Sequence, residues 1–205
     1  MKTPRDRPIR PEDLQFGPEI MSDFERSRRA EGRIWAEGYT QHDLDVAQER
    51  YGLTFPPDLV ALFLERRPVR GWDWRSDGEK IRQMLDWPLE GLLFDVEHNG
   101  IWSPDWGERP VAAETRAEVL RDIVSRAPKL VPLVSHRYIP SEPNESGNPI
   151  FSIYQSDIVC YGADLDDYFE RELGNRRGAV VGPVKRIRFW SDLVDRNGQR
   201  TASVI

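Results

Sequence analysis

Ile150-Phe151-Ser152-Ile153-Tyr154 and Ile158-Val159-Cys160-Tyr161 flank the polar triplet Gln155-Ser156-Asp157. Runs this rich in β-branched and aromatic residues around a short polar break read as a β-hairpin. Upstream, Leu130-Val131-Pro132-Leu133-Val134 is a third short apolar run, again of strand length. Downstream the period changes. Asp164 is placed to cap a helix bearing Leu165, Tyr168, Phe169 and Leu173, with Gly174-Asn175 as its stop. Val180-Val181 and Arg186 to Phe189 read as a further strand or two, and Ser191 opens a last short helix ending near Gly198.

The N-terminal half carries the helical period instead. Thr40 with Asp43 forms a helix start, Leu44, Ala47 and Tyr51 recur on one face, and Gly52 supplies the stop. Pro56-Pro57-Asp58 begins a second helix with Leu59, Leu62 and Phe63 on its apolar face, ended by Pro68. Ser76 to Glu79 has capping-box spacing ahead of Ile81, Met84 and Leu85, and Pro88 is expected to restart a separate short helix through Val96. A Trp- and Pro-rich loop precedes a helix from Ala113 to Arg126, with Val119, Leu120, Ile123 and Val124 as its buried stripe. Pro18 to Trp35 holds a weaker helical pattern. Helices first, then strands, then helix is an α+β order: helices packed against a mostly antiparallel sheet. Residues 1–18, with several prolines and mixed charge, read as an extended arm, and 19–205 as a single domain.

The 205 residues, 39% apolar, suffice for a core without disulfides or metals, and the one cysteine, Cys160, excludes an intrachain bridge. It lies in an apolar run, where a buried inert thiol is expected. The N-terminus lacks an apolar signal region and no run approaches a membrane span, so a cytoplasmic location is expected. Asn144-Glu145-Ser146 matches a glycosylation sequon and reads as a polar loop. The net charge of −6 is uneven: residues 176–205 carry +5, leaving −11 for residues 1–175. An acidic body disfavours nucleic acid, whose affinity rests on phosphate neutralisation, and suits a cationic protein partner.

For chemistry, Asp95, Glu97, His98, His136 and Asp157 are the carboxylates and imidazoles available for a metal or acid–base role, and Asp95 with His98 falls three apart on one helical face. No zinc-ligand spacing, nucleophile elbow or phosphate-cradling glycine loop accompanies them. Neither a catalytic residue nor a metal or cofactor site is therefore expected. For binding, Trp102, Trp106, His136, Tyr138, Tyr154 and Tyr161 sit at loops and strand ends beside Arg137, the composition of an interface hot spot. Asp157 and the acidic run Asp164, Asp166, Asp167, Glu170 and Glu172 add charge to that surface. The same run also serves as helix N-terminal charge. Lys185, Arg186 and Arg188 alternate with Ile187 and Phe189, a pattern suited to an edge strand.

Ala47-Gln48-Glu49-Arg50-Tyr51-Gly52-Leu53-Thr54-Phe55-Pro56-Pro57-Asp58, with Leu62-Phe63-Leu64 after it, resembles the opening of SUKH-superfamily domains. Leu130 to Leu133, Asn148 to Tyr154 and Tyr161-Gly162 are similar to that family's strand region, and Asp164 to Leu173 to its closing helix. The resemblance spans roughly residues 40–175. It departs in a longer insertion carrying Trp87, Trp102 and Trp106 and in the extra arm. The family holds fungal Smi/Knr-type cell-wall assembly regulators and bacterial immunity proteins that neutralise toxins. It implies a non-enzymatic protein-binding module, with a cationic, nuclease-like toxin domain as partner; residue type and position, not the resemblance, give Trp102, Trp106, His136, Arg137, Tyr138, Asp157, Tyr161, Asp164, Asp166 and Asp167 as candidate contacts. The alternatives are a regulatory scaffold in cell-wall or stress physiology, and a metal-assisted hydrolase built on Asp95, His98 and His136.

Overall fold

A computed structural model of the protein describes residues 35–76, 78–172, 178–180 and 182–202. The arm at 1–18, the helical pattern up to residue 34 and the stop at Gly174-Asn175 lie outside them. The element order is β1 (Trp35–Glu37), α1 (Gln41–Tyr51), α2 (Pro57–Glu65), β2 (Arg66–Pro68), α3 (Glu79–His98), α4 (Ala113–Ser125), β3 (Leu130–Val134), β4 (Arg137–Pro140), β5 (Ile150–Tyr154), β6 (Asp157–Gly162), α5 (Leu165–Glu172) and α6 (Trp190–Ala202). β1 and β2 form an antiparallel pair, and β3-β4-β5-β6 a four-stranded antiparallel meander. This is an α+β architecture.

The local signals act as their chemistry requires. Thr40 and Asp43 close a reciprocal capping box on α1, and Gly52 takes the left-handed conformation, φ 59°, at its end. α2 starts at Pro57 and already ends at Glu65, because Arg66 to Pro68 turn extended to pair with Trp35 to Glu37. Pro68 is thus a strand residue rather than the helix stop.

Both faces of the meander are buried. Alternation sends Val131, Leu133, Ile139 and Ile150 to one face, where they join Leu44, Phe55, Leu59 and Phe63 of the α1–α2 region and Leu165 and Tyr168 of α5. Leu130, Tyr138, Phe151, Ile153 and Ile158 point the other way, onto Met84, Trp87, Leu92 and Val96 of α3, Leu120 of α4, and Trp190 and Leu193 of α6. Burial on both faces explains why β3 is a continuous apolar run instead of an alternating one. Of the stripe expected on α4, Leu120 is fully buried while Val119, Ile123 and Val124 are partly so.

The expected break at Pro88 does not occur: α3 runs unbroken through it. Proline has no N–H to bond the carbonyl four residues back, that of Met84. Tyr138 supplies the missing donor, its hydroxyl donating to the Met84 carbonyl at 2.9 Å. The same helix passes so close to the β5–β6 turn at Gly91 that a Cβ there would lie 2.8 Å from the Gln155 Cα. The start of α3 differs too. Gly78 is its N-cap without a side-chain bond, since the Ser76 hydroxyl donates to the Asp73 carbonyl instead. Arg186 to Phe189 form no strand, and α6 continues through Gly198.

Candidate protein-binding surfaces

The sequence-predicted contact residues do not form one surface. Trp102 and Trp106 lie on the α3–α4–α6 side. Their rings meet edge to face at 5.4 Å, the Trp102 indole donates to the Gly107 carbonyl, and Trp106 stacks on Phe189 at 6.3 Å. Both pack against the core beneath α6, and Arg196 of α6 reaches Asp105 between them at 2.5 Å. They pin the insertion to the last helix. This is work the long loop requires in any case, since its rings must be covered.

Two other predicted contacts are interior. Tyr138 is fully buried, its hydroxyl committed to Met84. Asp167 is buried as well, accepting from the Ala163 amide at 2.9 Å and from the Arg171 Nε at 2.8 Å, in an ion pair whose side chains are 8% and 6% exposed. Both therefore leave the list of partner contacts. Asp164 caps α5 by accepting from the Asp167 amide, while Asp166 is exposed in the first turn.

Of the remaining predicted residues, Arg137 and Tyr161 come together. Register places Arg137 beside Ser152, and Ser152 beside Val159, in one row across β4, β5 and β6. This row is on the face that carries Ile139 and Ile150, but the covering helices do not close over it: Val159 is 43% exposed. The Arg137 guanidinium lies over the Tyr161 ring, its Cζ 4.0 Å from the centroid, and donates to the Ser152 Oγ at 2.9 Å. Its Nε is buried without an acceptor, and among the described residues it meets no carboxylate. Tyr161 in turn packs edge-on against Tyr168 and reaches Glu172. His136 adjoins Arg137 at the β3–β4 turn. Its ring stands perpendicular to Tyr154, whose register partner is the exposed Asp157. Burial, with Arg137's charge adding to it, lowers the His136 pKa to about 4, so the imidazole is neutral at neutral pH.

The candidate metal ligands are otherwise engaged. Asp95 is buried, accepting from the Asn99 amide at 2.5 Å and from the Ser156 backbone at 2.8 Å, which ties α3 to the hairpin turn. Glu97 pairs with Arg116 at 2.6 Å, and exposed His98 rests on the Phe94 ring. Among the described residues no group of three or more His, Cys, Asp or Glu side chains could hold a metal ion. Asp95, His98 and His136 are thus not assembled as a ligand set. Burial pushes the Cys160 thiol up to about 11, and a thiol held protonated is a poor nucleophile. The basic tail is tied down: Lys185 bonds Glu145, Arg186 bonds Asp192 and Asp195, and Arg188 bonds Glu142.

Sequence reasoning missed a groove between α3 and α4, about 530 Å³ in volume, floored by Leu93, Val96, Ala113 and Ala117 and edged by Glu97, Glu114, Glu118 and Arg121. The signal was present in the small residues Ala113 and Ala117, which leave the floor low on the outer side of the α4 stripe. Among the described residues no helix is long and apolar enough to cross a membrane. No family model, curated protein or solved structure matches the chain.

Proposed function

We propose that the chain is a non-enzymatic, SUKH-like protein-binding module that acts in the cytoplasm by occlusion, covering the working surface of a cationic, nuclease-like toxin domain. The observation that carries this reading is Arg137, laid on Tyr161 and left without a carboxylate beside the exposed Val159. An arginine stacked on an aromatic ring next to open aliphatic surface is what partner hot spots are made of. Taking a guanidinium partly out of water without a counter-charge costs free energy that a partner's acceptor would offset.

The acidic surroundings give the partner its sign. Asp157 at the hairpin tip and Asp164 and Asp166 after β6 border the strand that carries Tyr161. With −11 on residues 1–175, they draw a cationic domain toward the sheet and raise its association rate. Immobilised full-length protein is expected to retain one stoichiometric partner from native lysate, identified by mass spectrometry, while Arg137→Glu with Tyr161→Ala retains none. Equal retention by the variant would remove this face from the account. Several weakly held partners would favour a regulatory scaffold instead.

A further inference from the structure

The α3–α4 groove lies on the opposite side of the sheet from Arg137, since Val96 and Leu120 of its two helices belong to the other core. We infer that it seats a basic amphipathic helix of a protein partner. The inference is independent of the reading placed on Arg137.

Three features of the groove point to that occupant. First, its floor is apolar and low: Leu93 and Val96 come from α3, Ala113 and Ala117 from α4. Small residues between two packed helices leave a channel into which the side-chain ridge of a third helix fits. Second, its edges carry a surplus of negative charge. Glu97, Glu114 and Glu118 line it against one cation, Arg121, and along α3 Asp86 and Glu90 continue the stripe of Leu93 and Glu97 beyond the lining, at helical spacing. Along α4, Glu114, Glu118 and Arg121 follow one another at the same spacing. Arg116 offsets Glu97, but Asp86, Glu90, Glu114 and Glu118 form no ion pair among the described residues. Glu90 has its pKa raised by burial and by Asp86, as expected of carboxylates that repel one another without a cation between them. Third, Val111, two residues before Ala113 of the floor, is 98% exposed, and its carbonyl accepts from Arg116 at 2.6 Å. A fully exposed valine beside an apolar channel extends the greasy surface past the helix ends.

A helix with an apolar stripe flanked by Lys or Arg meets both demands at once: the stripe fills the floor and the cations reach the glutamates on either edge. An extended basic chain does not, because alternate side chains point away from the floor.

The test uses full-length protein and a synthetic amidated lysine–leucine peptide of helical amphipathic period, with a scrambled isomer of identical composition as control. Calorimetric titration is expected to give saturable binding that weakens as salt is raised, with helical circular dichroism gained by the peptide and at least about tenfold weaker binding of the isomer. Glu114→Lys with Glu118→Lys should weaken binding by about tenfold or more through charge, and Ala117→Trp by a similar factor by filling the floor with every charge intact. Arg137→Ala should leave it unchanged. Melting curves of each variant separate lost binding from lost folding. Equal binding of the scrambled isomer, or unchanged affinity in both groove variants while folded, would overturn the assignment. A concentration-dependent dimer abolished by Ala117→Trp would put a second copy of the chain in the groove and would also overturn it.

Discussion

Arg137 and Tyr138 are chain neighbours on β4 and belong to different worlds. Tyr138 faces the α3 core, fully buried, with its hydroxyl spent on the carbonyl that Pro88 cannot bond. Arg137 faces the other way, stacked on Tyr161 in a row that ends at exposed Val159, with a buried Nε that has no acceptor. The interior polar groups here, Tyr138, Asp95 and the Asp167–Arg171 pair, are satisfied within the fold. In the open row Ser152 and Tyr161 are bonded but the Arg137 Nε is not, a state it shares with the interior Asn148 Oδ1 and Tyr168 hydroxyl. Polar residue types alone do not mark a binding site. What sets Arg137 apart from the buried Asn148 and Tyr168 is that its unused donor lies in a row open to solvent at Val159.

That contrast can be broken by mutation. The largest effect should come from Asp167→Ala, which removes the buried acceptor of the Ala163 amide and of the Arg171 Nε and leaves Arg171 only the Gly178 and Ala179 carbonyls; urea melts should show a greater loss of stability than for any other variant. A loss smaller than that of Tyr138→Phe would mean the pair is effectively solvated. Tyr138→Phe removes only a hydroxyl but orphans the Met84 carbonyl, with an expected loss of about 1–3 kcal/mol. No loss would mean that Pro88 is accommodated without that bond.

His136 offers a smaller, pH-dependent test. Its folded pKa of about 4 lies below the ordinary 6.5, so the unfolded chain takes up a proton first as pH falls. Stability should therefore be complete above about pH 6.5 and decline toward pH 4. His136→Gln should flatten that slope between pH 6.5 and 5, above the range where the acid-shifted carboxylates Asp43, Asp73 and Glu97 titrate. An identical slope in wild type and variant would place the imidazole in water.

Much of the fold was legible in residue type and spacing. The Thr40–Asp43 box, Gly52, the Pro56-Pro57 step and the β5–β6 hairpin all rest on interactions within a few residues, where sequence carries the geometry directly. What escaped depends on distant partners. Pro88 reads as a break until Tyr138, fifty-four residues beyond Met84, is seen to cover the freed Met84 carbonyl. β4 was not anticipated because Arg137 to Pro140 is too short and mixed to show a period, and is strand only through its pairing with β3 and β5. Arg186 to Phe189 had the alternation of a strand but no edge to join, and its arginines bond Asp192, Asp195 and Glu142. The candidate site was half visible for the same reason. Residue type picked out Arg137, Tyr161 and Asp157, yet it equally picked out Tyr138 and Asp167, because only the register says which side of the sheet a side chain faces.

The most direct test sets thermal melting beside partner retention for Arg137→Ala and Tyr138→Phe. Arg137→Ala should lose only about 1 kcal/mol, the stacking and hydrogen-bond contribution, and lose the captured partner. Tyr138→Phe should melt earlier and keep the partner below its melting point. The opposite pattern, with the partner kept by Arg137→Ala and lost by folded Tyr138→Phe, would contradict the assignment of the open row as the binding face.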